Sequence, residues 1–226
     1  MSSDPAVPQL TWAERAAERS PMMQRSRVRS LEQARTIIDA GRRLMERKGD
    51  FTAQELVKEA GVALQTFYRY FESKDQLLVA VLEDLIGSQT QAREAQAAEI
   101  SDPVARLRYF VTWPLHTLDR PDALGQARAI TADHWRLQQL FPDDMAQVDR
   151  PLVELIERTL IEARDAHALT PRDPAHDARL VIELVRTMFH HYAFASLDRP
   201  IDEIADHLWS FCLRAVGGVP EGNVDG

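Results

Sequence analysis

The feature that most constrains this chain is a helix-start signal that recurs three times in under fifty residues: Ser30 with Gln33, Thr52 with Glu55, and Ser73 with Gln76. In each S/T-x-x-E/Q box the hydroxyl takes one of the free N–H groups at a helix start, and the acid or amide returns to another. From Ser30, the residues Leu31, Ala34, Ile37, Ile38, Gly41, Leu44 and Met45 recur at spacings of three and four, the mark of an amphipathic helix that Gly49 can end. Between the second and third boxes, Ala60-Gly61-Val62 provides the permissive backbone of a tight turn, and Leu64 to Phe71 is left as a very short helix. Helix, turn and short helix, packed on a longer first helix, is the expected unit.

The rest of the pattern is helical as well, with no convincing strand alternation. Helices are expected near 74–99, 103–118, 121–140, 144–167, 174–196 and 201–216. They are punctuated by Asp102-Pro103, Arg120-Pro121, Phe141-Pro142, Thr170-Pro171 and Arg199-Pro200, because the residue before a proline is pushed out of helical geometry. Pro114 falls inside a helix and is expected to kink it. The fold class is therefore all-α with about nine helices. Its expected divisions are a flexible basic N-terminal arm at 1–29, a helix-turn-helix domain at 30–75, a larger helical domain at 76–216 and a frayed tail at 217–226. Within the arm, Thr11 to Arg19 can form a short helix.

Composition enters as a set of exclusions. A chain of 226 residues that is 45% hydrophobic and 27% charged can bury a core, and its single cysteine forms no internal disulfide. Cys212 suits a reducing compartment. No stretch approaches the roughly 18–20 apolar residues of a membrane span, and Met1 to Leu10 lacks the order of a signal peptide, so a cytoplasmic location is expected. The net charge of −8 is unevenly spread. Residues 25–75 carry eleven basic and eight acidic side chains, a net +3, which leaves −11 for everything else. A small polyanion-binding module on an acidic body is the reading this asymmetry favours.

Within that module, Leu56, Val57, Ala60, Val62, Phe67 and Phe71 are spaced to form a core with Leu31, Ile37, Ile38, Leu44 and Met45 of the first helix. Leu64, Gln65, Thr66, Tyr68, Arg69 and Tyr70 are left for the outer faces. Hydroxyls and cations suit phosphate contacts, and a Gln can read the paired donor and acceptor of adenine. The run Thr66-Phe67-Tyr68-Arg69-Tyr70-Phe71-Glu72-Ser73-Lys74-Asp75-Gln76-Leu77-Leu78, after Phe51-Thr52-Ala53-Gln54-Glu55-Leu56 and Ala60-Gly61-Val62, resembles the TetR family of transcriptional regulators over residues 30–80. The resemblance implies a phosphate contact at Tyr68, backbone contacts at Thr66 and Tyr70 and a cation at Lys74. Leu64 and Gln65 fall where the family varies with operator sequence. Thr52 and Arg69 complete the candidate DNA-binding set, with Arg25, Arg27 and Arg29 of the arm, which can enter an adjacent minor groove or remain solvated. Gln65 departs from the small residue many relatives have, and the connection after Gly49 is short.

Two reading heads one helical turn apart, about 34–36 Å, are needed for useful affinity, so a homodimer is expected. The last two helices carry a surplus of apolar surface, and Leu184, Phe189, Leu208, Trp209 and Cys212 are the candidate interface, with core packing as the alternative. In the middle helices, Tyr109, Phe110, Trp113, His116, Trp135, Leu152, Ile156, Met188 and Tyr192 are the candidate lining of an effector pocket, and His134 and His190 are further polar handles. The same residues fit a dry core. The expected function is a homodimeric repressor released from double-stranded operator DNA by a small, largely apolar effector, with no cofactor and no metal. A body that docks a protein partner is the alternative. An enzyme is not expected: no G-x-S-x-G elbow, Gly-rich phosphate loop or H-E-x-x-H motif occurs, and His190 and His191, adjacent on a helix, cannot face one ion.

Overall fold

The computed structural model describes residues 20–195, 197 and 199–219, and among these nine α-helices and two 3-10 turns form the architecture, with no strand. The reading unit consists of α1 (Pro21–Lys48), α2 (Ala53–Ala60) and α3 (Leu64–Tyr70), followed by the long α4 (Lys74–Gln96). The body adds α5 (Pro103–His116), α6 (Pro121–Leu140), α7 (Pro142–Asp165), α8 (Pro174–Phe194) and α9 (Ile201–Ala215). Five of these nine helices open on a proline at the first turn, where its missing N–H costs nothing. The all-α reading and the interhelix breaks at prolines agree with the structure.

The start of α1 departs from expectation. Pro21 opens the helix with Ser20 as its N-cap, so Ser30 lies within the helix and caps nothing. A proline at N1 and a run of good helix formers extend the helix without burial, and Met22, Met23, Val28 and Leu31 stay exposed. Residues 21–29 are therefore helix rather than arm, and Leu31 is not a core residue. The expected short helix at Thr11 to Arg19 lies outside the described residues, as does the tail beyond Val219.

The other two boxes are built. Thr52 Oγ1 accepts from Glu55 N, and the Glu55 carboxylate accepts from Thr52 N at 2.8 Å. Ser73 Oγ accepts from Gln76 N, whereas the Gln76 amide oxygen takes Glu72 N, one residue before the cap. Gly61, at φ 65°, forms the left-handed turn between α2 and α3 and has open space around it, so conformation and not room demands glycine there. At Gly41 the reason is room. A Cβ would meet Val81 Cγ2 at 2.9 Å, because α1 crosses close over α4.

Two cores result. Ile37, Leu44, Met45, Leu56, Phe67 and Leu77 anchor one, which also takes Leu137 of α6 and Met145 and Val148 of α7. The second joins α5, α6, α7, α8 and α9 through residues such as Val111, Ala127, Ile156, Val185 and Trp209. The helices α6 and α7 thus belong to both, and the body is fastened directly to the reading unit.

Candidate DNA-reading face and effector cavity

Seven residues are too few for an autonomous helix. α3 holds because Phe67 is fully buried, stacked on Phe71 with ring centroids 6.0 Å apart. With that face anchored, Leu64, Gln65, Tyr68 and Arg69 are exposed and Thr66 is half-buried. Tyr70 is half-buried, and its hydroxyl donates to the Gln33 amide oxygen at 2.9 Å. Arg69 donates to the same oxygen at 3.2 Å and lies 5.2 Å from the Tyr70 ring centre. Gln33, released from any capping role by the earlier helix start, thereby ties α3 to α1. Tyr70 and Arg69 set the angle of the reading helix.

Other candidates are also engaged. Thr52 is exposed, but its hydroxyl serves the cap of α2. Lys74 pairs with Asp50 and sits 5.1 Å from the centre of the Phe51 ring. The hydrogen bond from Lys74 keeps the Asp50 carboxyl below its ordinary range. Glu55 is lowered to about 2, first by the hydrogen bond from Lys48 and then by that from the Thr52 backbone. Much of the positive charge is spent internally: Arg42 on Asp84, Arg43 and Arg47 on Glu59, Lys48 on Glu55. Arg25, Arg27, Arg29, Arg35, Lys58 and Arg69 form no ion pair among the described residues. On the helical backbone, Arg25 and Arg29 share a face one turn apart, and Arg27 points elsewhere.

Behind this unit the body holds a partly open cavity of about 380 Å³ between α4, α5, α6, α7 and α8. Leu82, Ile86, Ile130, Leu152, Val185 and Phe189 give it an apolar wall; Arg93, Trp113, His134 and His190 bring polar atoms to it. Of the five buried side-chain polar atoms with no hydrogen-bond partner among the described residues, four are Arg93 Nε, Trp113 Nε1, His134 Nδ1 and His190 Nδ1. Buried polar groups are normally satisfied, so these four are donors and acceptors that a ligand or water in the cavity would engage. Burial, reinforced by the Arg186 charge, pulls His134 down to about 4. Burial and then His134 do the same to His190, which also falls to about 4. Both rings are neutral near pH 7.

Only part of the expected pocket is here. Trp113 and Leu152 line the cavity, as do the handles His134 and His190. Phe110 and Ile156 are core, and Met188 and Tyr192 pack on that core. Tyr109 turns its hydroxyl to Gln96, His116 lies 3.3 Å from Asp202, and Trp135 is 62% exposed. Residue type flagged bulky side chains but not which side of each helix they occupy. Sequence reasoning missed the α4 wall entirely, although a signal existed: the stripe Leu82, Ile86, Gln89, Thr90 and Arg93 keeps helical spacing while turning polar.

The expected interface also needs correction. Leu208, Trp209 and Cys212 are all under 8% exposed, turned into the protein's own core. They belong to one stripe with Ile201, Ile204, Ala205 and Leu213, which a single amphipathic helix buries on one side. Burial raises the Cys212 thiol to about 11. Phe189 lines the cavity, and Leu184 is half-buried against the second core. The apolar surplus is instead Leu180, Phe194 and Phe211, each more than half exposed, with Leu197 beside them in sequence. His190 faces the cavity while His191 is exposed. No group of three metal-ligating side chains occurs among the described residues. None of the helices described is long and apolar enough to cross a membrane.

An anchored short helix with an exposed polar face, set on a helical body with a partly polar cavity, is a helix-turn-helix unit joined to a helical body. Residues 37–81 match the family described as bacterial regulatory proteins, tetR family. That match covers the second half of α1, α2, α3 and the first turns of α4. Among solved structures it is similar to RolR in complex with resorcinol, at 20% identity and a TM-score of 0.66, over 84% of this chain and 90% of that one. A TetR-family regulator from Mesorhizobium loti matches at 21% identity and a TM-score of 0.60, over 84% and 98%. FadR from Bacillus subtilis, in complex with stearoyl-CoA, matches at 14% identity and a TM-score of 0.62, over 82% and 98%. These likenesses establish the shared fold. No curated protein matches the sequence.

Proposed function

We propose that this protein is a cytoplasmic homodimeric repressor that leaves its operator when a small, largely apolar molecule enters the cavity. The observation that carries this reading is the double duty of α6. Its Ala127, Ile130 and His134 line the cavity, while Leu137 is buried in the core of the reading unit and Arg136 pairs with Asp75 at the start of α4. A ligand that shifts α6 therefore has a direct mechanical path to α4 and the reading heads. It acts only through different affinity for the two arrangements. RolR holds resorcinol and FadR stearoyl-CoA on the same fold, which supports a metabolite rather than a protein as the effector.

DNA contact is assigned to Gln65 and Leu64 for base edges and to Thr66, Tyr68 and Lys74 for backbone. Thr52, Arg69 and Tyr70 act beside them, and Arg25 and Arg29 form the leading basic edge. The dimer face is assigned to the exposed Leu180 and Phe194 on α8 with Phe211 on α9, and to the half-buried Leu184 at the border of that stripe with the core. Selecting bound duplexes from a random pool, then repeating the binding with candidate small molecules, tests the proposal. A recovered two-fold site whose occupancy a small molecule reduces is the expected result. Failure to enrich any duplex would overturn it.

A further inference from the structure

We infer that the cavity's ligand is a small carboxylate with an apolar body, its acid group seated on Arg93 and Trp113 and its far end facing His134 and His190. This rests on the effector reading above and narrows it to a chemical class.

The cavity lining holds donors that are not spent within the protein. Arg93 approaches the Trp113 ring to 4.5 Å, donates through Nη1 to the Gln96 amide, and leaves its buried Nε–H unused. Among the described residues, no carboxylate lies within ion-pair distance of it. The other charges on the lining have partners: Arg186 is held by Asp149 and Glu183, Glu46 by Arg42, and Arg120 has an interaction of its own. Arg93 is thus a half-buried cation that no counter-ion answers. Beside it, the Trp113 Nε1–H is donor-only and also unused.

At the other cluster, Arg186 Nη1 lies 3.3 Å from His134 Nε2 and can only donate, so that nitrogen accepts and the His134 proton sits on Nδ1. His134 Nδ1–H is then a third unspent donor, on a side chain only 7% exposed. A lining that offers donors and one uncompensated cation calls for an acceptor-rich anion. A carboxylate supplies about four lone-pair sites and the missing charge together. The remaining wall is aliphatic and aromatic, and about 380 Å³ lies at the low end of small-molecule sites, which suits a body of one or two rings.

The test uses the full chain and matched pairs of acid and primary amide: benzoate with benzamide, 2-naphthoate with 2-naphthamide, octanoate with octanamide. Calorimetric titration is expected to show at least one acid binding about tenfold or more tightly than its amide, as a charge-assisted hydrogen bond to a half-buried guanidinium requires. In Arg93→Gln that ratio should collapse toward one while the Tm without ligand stays unchanged. Trp113→Phe, which keeps the ring and loses the N–H, should weaken acid and amide by a similar factor. Amides binding as tightly as acids, an acid preference that survives Arg93→Gln, or no member of the panel binding would each overturn the inference. Binding is read on the free protein, so a parallel gel shift on the selected operator separates the two claims. An acid that binds without releasing DNA supports the ligand class and overturns the release mechanism; an amide that binds equally and releases DNA does the reverse.

Discussion

Phe67 and Tyr68 are neighbours with opposite fates, and the contrast explains how α3 works. Phe67 is fully buried and supplies the apolar contact a seven-residue helix needs, which frees Tyr68, its ring packed edge-on against Phe67, to point outward. Tyr68→Ala and Lys74→Ala are therefore expected to weaken DNA binding nearly uniformly across sequences. Gln65→Ala should relax preference at one base position by about 1–3 kcal/mol. Gel shifts against the selected operator and its single-base variants separate the two effects, and unchanged shifts in all three variants would remove the contact assignment. The histidines give a different residue-scale expectation. With both folded pKa values depressed to about 4, against about 6.5 in the unfolded chain, the unfolded state binds more protons between those limits. The stability these rings contribute is present above about pH 6.5 and is lost as pH falls toward 4. Melting at pH 7 and pH 5 should show a drop, on the order of 1 kcal/mol per ring after allowance for solvent screening. His134→Gln should shrink that drop, and an equal drop in the variant would deny His134 a part in it.

At the scale of elements, the prolines made most helix boundaries readable, since Pro103, Pro121 and Pro142 each sit at the first turn of a helix and Pro200 is the N-cap of α9. The same residue type misled at Pro21, where a proline read as part of an irregular arm opens a helix of 28 residues, about 42 Å long. Gly61 and the Thr52 box made the reading unit legible because local backbone chemistry dictates it. The cavity was less legible, because which side of α5 and α6 faces inward depends on packing partners remote in sequence. Trp113 faces the void while Tyr109, one turn earlier, bonds Gln96 at the surface. On α9, apolar residues counted together conceal two populations: the buried stripe through Leu208, Trp209 and Cys212, and Phe211, which is 59% exposed. Substitution should separate them. Phe211→Asp is expected to shift the protein toward monomer in sedimentation with little change in helical content. Trp209→Ala should cost about 3–5 kcal/mol of stability through the cavity it leaves. A Phe211→Asp protein that sediments like the wild type would take the dimer face away from α9.

For the whole molecule, the deciding question is how an event in the cavity reaches a helix on the far side of α4. Charge alone does not connect them, because the ion pairs of the reading unit are mostly internal and exposed, and such pairs are individually weak. Packing does, through Leu137, Met145 and Val148, which extend α6 and α7 of the cavity wall into the first core. The Arg136 guanidinium adds one polar tie, bridging Asp133 on its own helix to Asp75 in the first turn of α4. Loss of this tie should leave fold and ligand affinity nearly intact, because the pair is surface-exposed and Arg136 is not part of the cavity wall. Its effect should appear in the coupling between the two sites, a quantity typically worth about 1–3 kcal/mol in such systems. In Arg136→Ala, a ligand that lowers operator affinity in the wild type should lower it by a several-fold smaller factor. The Kd for ligand on free protein and the Kd for DNA without ligand should each move by less. The four equilibrium constants of the cycle, measured by calorimetry and fluorescence anisotropy, close on one coupling free energy. An unchanged coupling in Arg136→Ala would assign the transmission to the apolar seam alone, and Leu137→Ala, expected to erode coupling and stability together, would then be the variant that reports it.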